Sequence, residues 1–260
     1  MGAWDVTNGW DDGSVMYRPV EWGDVDAVAD AFEATWPQRP PLGGTPTGLL
    51  VSRYFTLHYF ALTTEGRVGL VAGDGVDETV AGTLDDEDFA GVTLVRRVGQ
   101  PQLFPQAVAE MEDLKKLIGA NPAGAAALAR MEHFFAIEGM LEADSDVDLT
   151  SDTELELFLV GPAARGRGVG GALWRQFLAD LTDAGVRNFF LHTDSGCDYA
   201  FYERHGLTRV AERLHADHPE DLEFLGVTGP VDEGPQEVPL ADDQFIYRGD
   251  VARVAGGAGA

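Results

Sequence analysis

Between Gly161 and Gly171 the chain reads GPAARGRGVGG, and it then runs into a segment whose apolar residues Val169, Leu173, Phe177 and Leu181 recur at helical spacing until Gly185 stops it. Arginines set among glycines at a helix start are suited to one task above others, the capture of an anion. Unpaired backbone N–H groups and a partial positive charge gather there, and glycines let a phosphate approach the backbone closely. The charge pattern agrees, since Gly161 to Ala179 holds Arg165, Arg167 and Arg175 and no acidic residue, where the chain average predicts about three. Just upstream, alternation in TELELFLV sends Leu155, Leu157 and Leu159 to one face of a strand and Glu154, Glu156, Phe158 and Val160 to the other. Two carboxylates thus stand in line with the strand end, where α/β folds place ligands.

Several phosphate ligands compete for the turn. A nucleoside triphosphate loop needs Lys and then Ser or Thr after its last glycine, and Ala172-Leu173 stands there instead. A dinucleotide fingerprint can be laid over Gly166, Gly168 and Gly171, which keeps an oxidoreductase domain as an alternative. Cys197 reads as a small residue near a helix start and not as a nucleophile. His215, Asp217 and His218 read as a solvated turn, because no further ligand set accompanies them, so no metal is expected.

The elements that must position these residues follow from periodicity and turn chemistry. Val15–Val20 suits a strand, and Val25, Val28, Ala29 and Phe32 then mark a helix. A loop rich in Pro and Gly precedes an aromatic-rich helix over Leu49–Leu62. Arg67–Ala72 and Thr79–Leu84 suit a hairpin, and Leu103–Ile118 and Ala123–Leu141 suit two helices split by Gly119-Ala120-Asn121-Pro122. Asp144–Asp152 reads as an acidic loop. From Thr153 the order is strand, glycine-rich turn, helix, strand, short helix, strand.

Two separated motifs carry a resemblance. Arg165-x-x-Gly168-x-Gly170 after a strand, followed by Phe201-Tyr202-Glu203-Arg204-His205-Gly206-Leu207, resembles the GNAT superfamily of acyl-CoA N-acetyltransferases, closely over Thr153–Leu214 and only in element order over 15–84. The resemblance implies an α/β fold with a mixed, strongly twisted central sheet flanked by helices and interrupted by a helical-hairpin insertion over about 101–145. It implies acetyl-CoA as co-substrate, its pyrophosphate held by the turn Arg165, Gly166, Arg167, Gly168, Val169, Gly170 and Gly171, and its pantetheine arm by backbone groups of Phe158, Leu159 and Val160. It further implies Tyr202 as the acid that protonates the leaving thiolate, and a strand glutamate as general base. Glu154, eleven residues ahead of Arg165, is preferred for that role over Glu156. The reaction implied is direct attack by a primary amine, and a catalytically silent acyl-CoA-binding module is the rival from another class.

Composition bounds the rest. The 260 residues carry 26 Asp and 18 Glu against 16 Arg and 2 Lys, a net charge of -26, with 45% hydrophobic residues. Such a charge repels polyphosphates and anionic membranes, so neither nucleic acid nor membrane is expected as a partner. Its even spread and the scarcity of Lys point to a halophilic, salt-rich cytoplasm and not to a basic partner. Cys197 alone forms no internal disulfide, and the N-terminus lacks signal-peptide character. One domain over about 15–250 is expected, between loose ends at 1–14 and 251–260. The partner is a small-molecule or peptide amine, and the aromatic- and Met-bearing insertion could also provide a homodimer face.

Overall fold

The computed structural model describes residues 15–71, 89–221 and 242–257. In chain order these form β1 (Val15–Pro19), α1 (Val25–Thr35), α2 (Pro46–Leu62), β2 (Glu65–Val71), β3 (Phe89–Arg97), α3 (Gln106–Gly119), α4 (Pro122–Ser145), α5 (Val147–Thr150), β4 (Thr153–Val160), α6 (Val169–Asp183), β5 (Asn188–Asp194), α7 (Tyr199–Arg204), β6 (Thr208–Arg213), β7 (Gln244–Asp250) and α8 (Val251–Gly257). The hydrogen-bonded strand order is β1-β2-β3-β4-β5-β7-β6, with β4 and β5 parallel. This is the mixed, helix-flanked sheet expected from the resemblance. The strand expected over Thr79–Leu84 and the extension 1–14 lie outside the described residues.

The chain divides into two compact units, Met1–Ile118 with Leu155–Asp180, and Gly119–Glu154 with Leu181–Ala260. In the first, β2 pairs antiparallel with β1 and with β3. Sequence reading placed no strand at β3, whose FAGVTLV is buried throughout. A strand covered on both faces loses the alternation that marks a half-exposed one. Gly91 in β3 is forced by packing, since a Cβ there would lie 2.7 Å from the Leu159 carbonyl oxygen and 2.7 Å from Leu173. A cluster of Val15, Ala90, Ala164, Val169 and Leu173 seats the start of α6. Arg67 fixes the helix further along, its Nε and Nη2 donating to Asp180 at 2.5 and 2.8 Å.

In the second unit, the Asn121 side chain caps α4 by accepting from the Ala123 and Gly124 amides at 2.9 and 3.3 Å, and Pro122 fills the first turn. Ile137, Leu141, Val147, Phe190 and Ile246 make the core. The first residues of β4 pair with β5 at Glu154↔Phe190, and β7 pairs antiparallel with both β5 and β6. Two expectations are corrected. Asp144–Asp152 is not all loop, because α4 continues to Ser145 and α5 follows once Asp146 turns left-handed at φ 51, with the Val147 side chain buried. The tail from 251 is not loose at its start, because Val251 and Val254 are buried on one face of α8 and Asp250 accepts the Arg253 amide at 2.9 Å.

Candidate active site

In the first unit the glycine-rich turn is built on the end of β4. The Gly161 amide donates to the Ala90 carbonyl at 2.9 Å, a 3-10 turn over Pro162–Ala164 buries Ala164, and α6 begins at Val169. Gly166 and Gly168 stand at φ 75 and 81, the left-handed region that side chains resist. Gly170 faces Val160, whose Cγ2 would lie 3.3 Å from a Cβ placed there. Arg165 braces the turn, its Nε donating to the Val160 carbonyl at 3.3 Å and its Nη2 to Thr35 Oγ1 at 2.7 Å. The side chains of Leu159 and Val169 are buried and Phe158 packs on Trp174, so this stretch offers a ligand mainly backbone. Arg165, Gly166, Arg167 and Gly168 are exposed. Exposed cations, left-handed glycines and the unpaired first-turn amides of α6 fit a phosphate-bearing ligand.

Glu156, also in the first unit, receives the Arg96 Nε at 2.6 Å, and its side chain is 4% exposed. That guanidinium occupies the Glu156 carboxylate, which is shut off from solvent. Glu154 has a different setting within the second unit. It is buried, and the His192 Nε2 lies 3.8 Å from its Oε1. Glu142 on α4 accepts from the same nitrogen at 3.0 Å in the tautomer that carries its proton there. Sequence reading missed His192, Glu138 and Glu142. The available signals were a lone His in the apolar run FFLHTD and two acids one helical turn apart.

Tyr202 sits on α7 in the second unit, its ring 6.0 Å from that of Tyr247. Burial, reinforced by Cys197, Asp194 and Asp198, pushes its phenol well above the ordinary range, so it keeps its proton at neutral pH. Burial and Asp194 likewise push the Cys197 thiol up to about 12. The rest of the FYERHGL motif shapes the helix end. Glu203 accepts from Tyr247 Oη at 2.7 Å and Arg209 Nη2 at 2.9 Å, His205 Nδ1 donates to the Phe201 carbonyl at 2.8 Å, and Gly206 adopts φ 81. His215 pairs with Asp243 at 2.6 Å and His218 with Glu220 at 2.9 Å, each imidazole taking its own carboxylate.

The first unit thus carries a glycine-bent turn with exposed arginines after a strand of the mixed sheet, and the second unit carries a phenol that keeps its proton and a buried carboxylate. Residues 106–207 match the model of the Acetyltransferase (GNAT) family, which bears out the resemblance read in the sequence. Among solved structures, arylalkylamine N-acetyltransferase 2 from Aedes aegypti aligns with TM-score 0.52 at 14% identity over 91% of this chain and 99% of that one. A second protein of that mosquito, described as arylalkylamine N-acetyltransferase 7, aligns with TM-score 0.50 at 13% identity over 91% and 87%. At these identities the likeness is one of fold. Comparison with curated protein sequences gives no match.

Proposed function

We propose that the protein transfers an acetyl group from acetyl-CoA to a primary amine by direct attack. The observation that carries this reading is the turn Arg165–Gly171, the acid-free, glycine-bent helix entrance of a chain otherwise crowded with carboxylates. CoA is an anion, and in a chain of charge -26 it needs a local patch of arginines and helix N–H groups. Backbone groups of Phe158, Leu159 and Val160 would pair with the pantetheine arm.

The chemistry requires an ammonium to lose one proton, the amine nitrogen to bond to the acetyl carbon, the carbon–sulfur bond to break, and the second proton shed by the nitrogen to balance the one the thiolate takes up. Glu154 is the better proton acceptor, because Glu156 is committed to Arg96. Tyr202 holds the proton destined for sulfur. Burial keeps its phenol neutral at working pH, so the proton is present to be given.

Thiol release from acetyl-CoA, measured against a broad amine panel in molar KCl, tests the reading. Tyr202→Phe is expected to lower kcat by about a hundredfold with the KM for acetyl-CoA unchanged. An unchanged rate at saturating acetyl-CoA removes the acid assignment. CoA binding without turnover on any amine would leave a silent binding module, and NAD binding without CoA binding an oxidoreductase domain.

A further inference from the structure

Three side chains of metal-ligating type meet in the second unit. Glu142 on α4, Glu154 on β4 and His192 on β5 each offer one atom, and these atoms lie within 4.8 Å of one another. His192 Nε2 stands 3.0 Å from Glu142 Oε1 and 3.8 Å from Glu154 Oε1. Around a tetrahedral zinc ion, nitrogen and oxygen ligands ~2.0 Å from the metal are about 3.3 Å apart, a value the two separations bracket. The remaining gap is closed by rotation of the Glu142 side chain, the most exposed of the three at 25%.

The other imidazole nitrogen supplies an independent observation. The His192 side chain is 10% exposed, and its buried Nδ1 has no hydrogen-bond partner, although Glu138 Oε1 faces it at 3.9 Å. With the ring proton on Nε2, donated to Glu142, Nδ1 is an acceptor looking at another acceptor. A metal on Nε2 reverses this. Nε2 then presents its lone pair, the proton sits on Nδ1, and Nδ1–H points at a carboxylate, the arrangement that orients metal-bound histidines. A doubly protonated ring would serve Nδ1 equally, and zinc uptake tells the two apart. Burial, followed by the charges of Glu154, Glu142 and Asp194, also pushes the Glu138 carboxyl well above its usual range, as expected where positive charge is in deficit.

We propose that Glu142, Glu154 and His192 form a zinc-binding site, with Glu138 as the carboxylate that orients His192. Sequence reading expected no metal, having looked at His215 and His218, each of which has its own carboxylate. Three protein ligands leave one tetrahedral position open to water. The functional consequence rests on the acetyl-transfer reading. With its oxygen on the metal, Glu154 no longer accepts a proton, so zinc acts as an inhibitor and not as a cofactor.

The test is calorimetry of zinc binding to the full-length protein, stripped of metal by a chelator, in molar KCl at pH 7.5. One zinc per chain is expected. His192→Asn and Glu142→Gln are expected to bind at least about a hundredfold more weakly, and Glu138→Gln, which touches no metal, about tenfold more weakly. Thermal unfolding checks that each variant folds, and zinc should raise the melting temperature of the wild type alone. If His192→Asn does not fold, Glu142→Gln carries the test. Absence of saturable binding, or binding that survives the ligand substitutions in folded protein, overturns the proposal. Acetylated amine, quantified by chromatography because zinc also binds free thiol, tests the consequence. Zinc is expected to inhibit the wild type over the range in which it binds, and Glu142→Gln only at about a hundredfold higher concentration. Undiminished turnover of the zinc-loaded enzyme overturns the inhibition. If the wild type acetylates no amine, the acetyl-transfer reading fails on its own, and the calorimetry still decides the site.

Discussion

Cys197 and His58 show how burial sets the chemistry of single residues. With its thiol pushed up to about 12 by burial and Asp194, Cys197 carries almost no thiolate at neutral pH. Alkylation by iodoacetamide at pH 7.5 should therefore run roughly a thousandfold slower than that of an exposed thiol, as mass spectrometry would follow. Burial and the Arg96 guanidinium push His58 down to about 4. The unfolded chain takes up a proton near pH 6.5 that the folded chain refuses until about 4, so stability is lost as pH falls through that window. Urea unfolding at pH 7.5 and 5.5 should show the wild type losing about 1 kcal/mol more than His58→Gln. At this scale the sequence named Glu154, Glu156 and Tyr202 as candidates, and the eleven-residue spacing to Arg165 that the resemblance implies favoured Glu154 of the two glutamates. The structure adds a contact that sequence could not show, the pairing of Glu156 with Arg96, distant in the chain, in the first unit.

Elements were legible where their signals are local. Pro122 after Asn121, the stripe of Val169, Leu173 and Phe177, and the glycines of the turn all act within a few residues, and α4 and α6 begin where those signals put them. The strands β3 and β7 were not legible. Burial of FAGVTLV erases alternation, and QFIYRGD gains its strand character from pairing with β5 and β6, which the sequence does not display. The turn also yields a prediction. Gly168→Ala places a Cβ at φ 81 and should cost about 1–2 kcal/mol in thermal or urea unfolding while weakening CoA binding by calorimetry. Normal stability with unchanged CoA affinity would deny the turn its role.

For the whole molecule the dominant quantity is the charge of -26. Self-repulsion of that size is screened as the Debye length falls from about 10 Å at ~0.1 M salt to about 3 Å at ~1 M. Over this range of KCl the melting temperature should rise by several degrees, and a flat or falling curve in calorimetry would remove the salt-adaptation reading. Among the described residues no helix is long and apolar enough to cross a membrane. By itself the sequence determined the class of chemistry, because the glycines and arginines of the turn and the FYERHGL segment act through backbone conformation and charge encoded over a few adjacent residues. Only tertiary structure decided that Glu156 is tied to Arg96 and that Glu138, Glu142 and Glu154 converge on His192. The three glutamates and the histidine come from α4, β4 and β5, elements up to 54 residues apart between Glu138 and His192. Chain folding, and no local pattern, sets distances across such separations.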